Sequence, residues 1–595
     1  MYKKLIPVLA LGILLAGCQG CGGDHNQSGW RDGKGGVYYG GVFRINWVVG
    51  FRSLFPLNVT DLTADNITNQ IYEGLVKLSP KDLTIIPCLA ESWKRNDSAT
   101  VWTFSLRKGV KFQDDECFPG GKGRDITAKD FKWCLDQLCT ASAQNAQFDE
   151  TFKGRVLGAD EYYQASVDKK ALPNGGVKGV KVIDDYTLEI DLVRPFSGFL
   201  NILTEPGCSV FAQEAFEKYG LDMRIHPVGT GPFQLKDIKE DADIVLVRNP
   251  HYWDKDNFGN QLPYLDAVKF TFVHEKKSEL LQFQQGDLEM MYQIPLEIIP
   301  QILNGDNSKV DYTLDTKPAM SNYFFGFQTQ SPVYSNRLVR QALNYAIDRD
   351  KIVTYTLQGE GIPGNYGIVP AQAFTGYDYK KLKGYDYEPD KAKELLAKAG
   401  YPNGKGFPEL TLQTNSDGGE RNIQIAEVMK KMFEENLNIT VKINAIPLAQ
   451  HYDAFERGKV PFFREGWIAD YPDPLTFLNL LYGANVPKDS TARAYSNPFR
   501  YSNKRFDSLY NKALVALTDS DRYRLYLEAD QAALDDAPYL CVFYEENYYL
   551  YHNYVKNFYG NAMDYIDLSK TYLIPPKKRV SNNPNPTPAA PSENH

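Results

Sequence analysis

The stretch from Leu410 to Ala445 constrains the fold more than any other part of the chain. Leu410–Thr414 is strand-like, Arg421–Glu435 carries apolar residues at helical spacing, and Ile439–Ala445 is strand-like again. Strand, helix and strand in direct succession form a βαβ unit, whose strands run parallel with a right-handed crossover. The same alternation recurs along the body of the chain. Val101–Leu106 alternates apolar and polar residues and predicts a strand. Thr127-Ala128-Lys129-Asp130 is a variant capping box that opens a helix to about Leu138. Gly179–Ile183 and Thr187–Leu192, separated by Asp184-Asp185-Tyr186, read as a hairpin. A helix from about Arg337 to Ile347 puts Leu338, Ala342, Leu343, Ala346 and Ile347 on one face, and another, Asp390–Ala399, ends at a C′ glycine, Gly400. The class expected is α/β. Because 595 residues exceed what one core supports, two bodies with a cleft between them are predicted.

Both ends differ from this body. Lys3 and Lys4 precede an apolar run, Leu5–Ala16, which falls short of the ~20 residues of a spanning helix. Residues 1–17 therefore read as a secretory signal peptide. Leu15-Ala16-Gly17-Cys18 resembles the bacterial lipobox, which would make Cys18 the lipidated mature N-terminus; the alternative is an ordinary cleaved signal with Cys18 and Cys21 incidental. Residues 18–36, rich in Gly, Asp, Asn and Ser, are read as a flexible tether, and the Pro-Asn-Ala-Ser-rich residues 581–595 as a disordered tail.

Composition excludes several classes. A hydrophobic content of 43% and a mean hydropathy of −0.42 are those of a globular body, and no later stretch has transmembrane length. A membrane-anchored lipoprotein on the extracytoplasmic or periplasmic face of the cell envelope is expected. Net charge −8 argues against a nucleic-acid partner, which calls for a basic face. There is no G-x-S-x-G, H-E-x-x-H, P-loop or Rossmann glycine pattern, and His274-Glu275 lacks a second histidine at metal spacing. The seven histidines are scattered. No catalytic residue, metal or cofactor is predicted, and the chain is read as not being an enzyme. Cys88, Cys117, Cys134, Cys139, Cys208 and Cys541 are too sparse for a disulfide scaffold; Cys134 and Cys139 fall on different faces of one helix and are not expected to be joined.

Seven segments, in chain order, resemble the large solute-binding proteins of peptide-type ABC importers, the oligopeptide- and dipeptide-binding proteins of solute-binding family 5. They are Ile71-Tyr72-Glu73-Gly74-Leu75, Leu89-Ala90-Glu91-Ser92-Trp93, Trp102–Phe112, Val228-Gly229-Thr230-Gly231-Pro232-Phe233, Asn249-Pro250-His251-Tyr252-Trp253, Val339–Arg349 and Gly466–Pro474. The resemblance covers roughly residues 40–574. It implies a two-lobed periplasmic-binding-protein fold (type II, large cluster) with an extra subdomain and a ligand cleft between lobes joined by a hinge. Lobe I would be discontinuous, at 37–75, 216–318 and 546–580; the subdomain would be 76–215 and lobe II 319–545. The implied ligand is a short peptide, delivered to an ABC permease in the membrane by a monomeric protein. Alternatives are the same fold holding an oligosaccharide, opine, haem or nickel complex, or a carbohydrate-binding envelope lipoprotein, for which 39 Tyr and 32 Phe would furnish stacking platforms.

Within that resemblance, Asp470 of Ala469-Asp470-Tyr471 matches the acid that pairs with the peptide α-ammonium, a charge every peptide offers. Asp473, followed by Pro474 and an apolar run, is explained as a helix cap; Asp470 is not. Arg464 matches an arginine that meets a ligand carboxylate, with a structural salt bridge to Glu465 as the competing reading. Trp467 and Tyr471 are core aromatics or cleft walls, the family favouring a wall role for at least one. Thr63, Ala64 and Asp65 match the loop whose backbone pairs with the peptide as an added strand. Asn322 and Tyr323, with Phe324, match the start of lobe II and are expected to line hinge or cleft. Gly229–Pro232 is read as a turn, Asn249–Trp253 as a surface or packing corner and Glu91-Ser92-Trp93 as core. The insertion from Asp114 to Asp125 has no assigned role.

Overall fold

The computed structural model describes residues 29–294, 311–416 and 420–578. The signal peptide, Cys18 and the 581–595 tail lie outside them. The tether as read from composition is too long: Arg31–Asp32 pairs with Tyr38–Tyr39, and the Arg31 guanidinium lies 4.4 Å over the Tyr39 ring. One tryptophan and one arginine in a polar stretch suffice to dock it, since the Trp30 indole meets Gly40 and Gly41.

One sheet runs through the molecule. Its main path is Phe233–Lys239, Asp243–Arg248, Ala267–Thr271, Val42–Asn46, Met290–Tyr292, Tyr539–His552, Tyr312–Phe327, Phe462–Ile468, Leu410–Asn415 and Val441–Ile446. Two of these strands are long because they serve both lobes. Tyr312–Phe327 and Tyr539–His552 pair antiparallel from Tyr312↔His552 to Gly326↔Tyr539. At the first end Tyr539–His552 is flanked by Met290–Tyr292; at the other Tyr312–Phe327 is flanked by Phe462–Ile468. The ladder between them shifts register between Pro318 and Asn322, where proline supplies no N–H. This double crossing joins the two halves of the sheet.

In the second lobe the βαβ unit forms as the spacing predicts. Leu410–Asn415 and Val441–Ile446 are parallel neighbours joined through helix Glu420–Leu437, which buries Ile425, Ala426, Met429 and Phe433. Helix Arg337–Tyr345 is capped by Asn336, whose side chain accepts from Leu338 N at 3.0 Å, and buries Val339, Ala342 and Leu343. Gly400 follows helix Pro389–Lys398 at φ 103°, which favours glycine.

A four-stranded antiparallel sheet, ordered Ala90–Arg95, Val101–Leu106, Thr187–Asp191, Val180–Asp184, carries the predicted hairpin. Helix Ala128–Leu138 covers it and has the capping box, with Thr127 N donating to Asp130 Oδ2 at 2.8 Å. Glu91-Ser92-Trp93 is not core as read: it lies on the sheet's edge strand, where Glu91 and Ser92 are exposed and Trp93 is half-buried. The insertion folds back on its own lobe, with Arg124 bonded to Glu214 at 2.6 Å and Asp130 at 2.7 Å, and Tyr219 OH donating to Asp115 at 2.7 Å.

Three of the recognised segments converge on one buried group. The Glu73 carboxylate accepts from Thr230 Oγ1 (2.8 Å), Tyr252 OH (2.9 Å) and Trp253 Nε1 (2.9 Å). A Cβ on Gly229 or Gly231 would strike the Ile71 carbonyl, so the turn must be glycine on both sides of Thr230. These motifs hold the floor of the first lobe together.

Candidate functional site

Strand Phe462–Ile468 pairs with Tyr312–Phe327 along its whole length, from Phe327↔Phe462 to Ser321↔Ile468. On its other edge it meets Leu410–Asn415 only at Gln413↔Phe463. Beyond that point the edge pairs with no described strand: the Arg464 carbonyl accepts from the His451 ring (2.8 Å) and Gly466 N is held by the neighbouring Glu465 carboxylate (2.9 Å). An unpaired edge inside a cleft is a template for an extended ligand.

The chain leaves this strand through Ala469, whose N–H donates to Met320 O at 2.8 Å, and turns at Tyr471-Pro472-Asp473-Pro474. Asp473 accepts from Leu475 N at 2.9 Å and so starts the short helix Leu475–Leu478. That turn brings Thr476 back over Asp470. Thr476 Oγ1 donates to Asp470 Oδ2 at 2.7 Å and accepts the Trp467 indole N–H at 3.0 Å. Asp470 is open to the cleft yet crowded by protein, and this desolvation pushes its carboxyl up to about 6 against the opposing Thr476 bond. Among the described residues no lysine, arginine or histidine forms an ion pair with it.

Asp470 stands between two cavities. One, of about 190 Å³, lies between Glu150, Arg155 and Phe196 on one side and Tyr471 and Tyr510 on the other. The second, of about 650 Å³, runs along the unpaired strand edge past Glu465, Trp467, Tyr452 and Tyr495. Trp467 and Tyr495 rings sit 5.7 Å apart there. Trp467 is thus a cleft wall, whereas Tyr471 is only 7% exposed and belongs mostly to the core. Burial, then the carboxylates of Asp470, Asp65 and Glu150, raise the neighbouring Glu205 well above its ordinary value and so favour its neutral form.

The other candidates fall differently. Thr63, Ala64 and Asp65 are not in a loop able to pair as a strand; they lie in the first turn of helix Leu62–Thr68, capped by Asp61. Thr63 and Ala64 are buried and Asp65 N is bonded to Asp61 O, so the backbone is already committed. The extended residues are those just before, with Val59 at φ −77°, ψ 120° and Asp61 at φ −139°, ψ 151°. Burial raises the Asp65 carboxyl to about 7.

Arg464 and Glu465 do not pair, because successive strand residues point to opposite faces. The Arg464 guanidinium lies 4.5 Å over the Tyr323 ring, 3.4 Å from Asn415 Oδ1, with Nε buried and unpartnered. Asn322 and Tyr323 are buried in the crossing strand and do not line the cavities at Asp470. Asn322 Oδ1 accepts from Trp467 N at 3.0 Å, and Tyr323 OH donates to Asn422 at 3.1 Å. Sequence reasoning missed Thr476, Tyr495 and Arg155. It took Glu465 only as a partner for Arg464, although the period of two from Trp467 already placed Glu465 on the Trp467 face.

A model of the bacterial extracellular solute-binding proteins, family 5 (middle region), matches residues 84–489. The chain belongs to this family. Family 5 comprises solute-binding proteins rather than enzymes. The chain is 27% identical to the periplasmic oligopeptide-binding protein OppA of Escherichia coli (strain K12), over 88% of this chain and 91% of that one. It is 28% identical to the glutathione-binding protein GsiB of Salmonella choleraesuis, over 82% and 86%. Among solved structures it resembles the ABC transporter-associated periplasmic binding protein DppA of Helicobacter pylori in complex with the peptide STSA, with a TM-score of 0.69, 26% identity, and coverage of 90% and 98%. Among the described residues no helix is long and apolar enough to cross a membrane.

Proposed function

We propose that this family 5 protein captures short peptides in the interlobe cleft and hands them to an ABC importer, held at the extracytoplasmic face by a lipid on Cys18. One observation carries the reading: Asp470, a carboxylate with no ion-pair partner among the described residues, stands at the end of a strand edge that no described strand pairs beyond Phe463. The edge offers main-chain hydrogen bonds that are indifferent to ligand sequence, and the carboxylate fixes the α-ammonium common to all peptides. The peptides and peptide-like solutes named for OppA, GsiB and DppA support the same class. Arg464, with its unpartnered Nε, is the group proposed to meet the ligand carboxylate.

Titration calorimetry with di- to hexapeptides, wild type against Asp470→Ala, tests this reading. Truncating one partner of a charge pair costs about 2–5 kcal/mol, and the partly open Asp470 belongs at the lower end of that range. Unchanged affinity would refute the ammonium role. Mass spectrometry of ligand released from the purified protein identifies the natural cargo.

A further inference from the structure

We propose that the 650 Å³ cavity beside Asp470 is a side-chain pocket selecting a lysine or arginine within the first three residues of the ligand, with Glu465 as its acceptor. This rests on the peptide reading above and adds a preference to it.

The argument is a charge inventory of one cavity. Its lining holds four carboxylates, Asp453, Glu456, Glu465 and Asp470, and one cation, Arg493. Arg493 is already engaged, 2.8 Å from Asp453 and 3.5 Å from Glu456. Asp453 is further tied to Arg457 at 2.8 Å and Lys459 at 3.5 Å. Among the described residues Glu465 and Asp470 form no ion pair; Arg464 acts on the first and Arg155 on the second only at longer range.

Glu465 is only 7% exposed. One oxygen accepts Gly466 N at 2.9 Å, and the other carries no hydrogen bond among the described residues. Arg464 is its sequence neighbour but is turned to the opposite face, over Tyr323. Burial of an acid without a counter-charge is costly unless something else supplies the charge. Around Glu465 the walls are aromatic: Trp467, Tyr452, Tyr495 and Phe455. Such walls cover the methylene stem of a long basic side chain and favour its charged head over their ring faces.

Spacing fixes which ligand residue is read. A strand rises roughly 3.3 Å per residue, so Glu465 to Ile468 spans roughly 10 Å along the edge. With its first residue beside Ile468 and its ammonium at Asp470, an extended ligand comes level with Glu465 at about its fourth residue, so a long basic side chain on its second or third residue reaches that carboxylate.

The test measures binding of trialanine, of its three single-lysine variants and of the matching norleucine variants by calorimetry. It is run at pH 8, above the value of about 7 to which burial raises the Glu465 carboxyl. At one position lysine binds at least about tenfold tighter than norleucine, the effect of one charge-assisted hydrogen bond. Glu465→Gln, which keeps an acceptor for Gly466 N, removes that preference. If trialanine binds and no position prefers lysine, the pocket assignment is overturned while the peptide reading stands. A lysine preference that survives in Glu465→Gln overturns the role of Glu465. If none of the peptides binds, the peptide reading falls and this proposal with it. The wild-type comparison uses only ligands and so does not depend on the folding of a variant.

Discussion

Thr476 Oγ1 donates to Asp470 Oδ2 at 2.7 Å while the indole N–H of Trp467 donates to the same hydroxyl at 3.0 Å. One hydroxyl therefore orients both the acid and the aromatic wall of the cleft. Sequence distance hides this, because the contact closes only after the turn at Pro472 and Pro474.

Thr476→Val keeps the shape and removes the hydroxyl. It leaves the Asp470 carboxylate and the Trp467 N–H each short of a partner, and hydrogen bonds to charged groups contribute about 1.5–3 kcal/mol. Trialanine affinity measured by calorimetry should fall by at least about tenfold. Thr476→Ser should restore most of it. A valine variant that binds like wild type would show that Asp470 needs no second residue to hold it.

Binding should also weaken in mild acid. Desolvation raises the Asp470 carboxyl to about 6, with Glu150 raising it further and Thr476 and Arg155 acting in the opposite direction. The ligand ammonium pairs only with the ionised form, so binding lowers this pKa and releases a proton wherever free Asp470 is protonated. Trialanine affinity is therefore highest near pH 7, falls as pH drops through 6, approaching about tenfold per unit, and falls again above about pH 8 as the peptide amine loses its proton, whereas an ordinary aspartate would hold until about 4. Asp470→Asn should flatten the profile between pH 5 and 7. A wild-type profile that is already flat there contradicts the assignment.

Arg522 joins the two sides of the cleft. Its Nη1 donates to the Ser197 carbonyl at 3.0 Å, and its Nη2 lies 3.2 Å from Asp473 and 3.0 Å from Asp519. Arg522 and Asp473 side chains are 6% and 1% exposed. Arg522→Ala leaves the Asp473 carboxylate buried without its cation, which costs about 3–5 kcal/mol. Urea unfolding should show that loss in full, with Arg522→Lys intermediate. A loss below about 1 kcal/mol would mean that the pair is solvated like a surface bridge.

Much of the fold was legible because it is written locally. The βαβ unit at Leu410–Ile446, the Thr127 capping box and the hairpin at Val180–Asp191 depend on residues a few positions apart. Asp470 was legible through the segment around it. What was not legible depends on long-range closure. Thr63–Asp65 reads as a loop until Asp61 caps the helix, and Trp30–Arg31 reads as tether until it meets Tyr39 and Gly41. Arg464 and Glu465 look like an ion pair until the pleat sends them to opposite faces. Ser197 and Arg522 are 325 positions apart, and nothing near either one announces the other.

The strand Tyr539–His552 follows most of its sheet neighbours in the sequence, yet it lies in the middle of the main sheet. It is flanked by Met290–Tyr292 on one side and Tyr312–Phe327 on the other. Met290–Tyr292 and Tyr312–Phe327 are synthesised well before Tyr539–His552, so the sheet stays incomplete between them until that later strand emerges. Assembly thus runs against the order of synthesis.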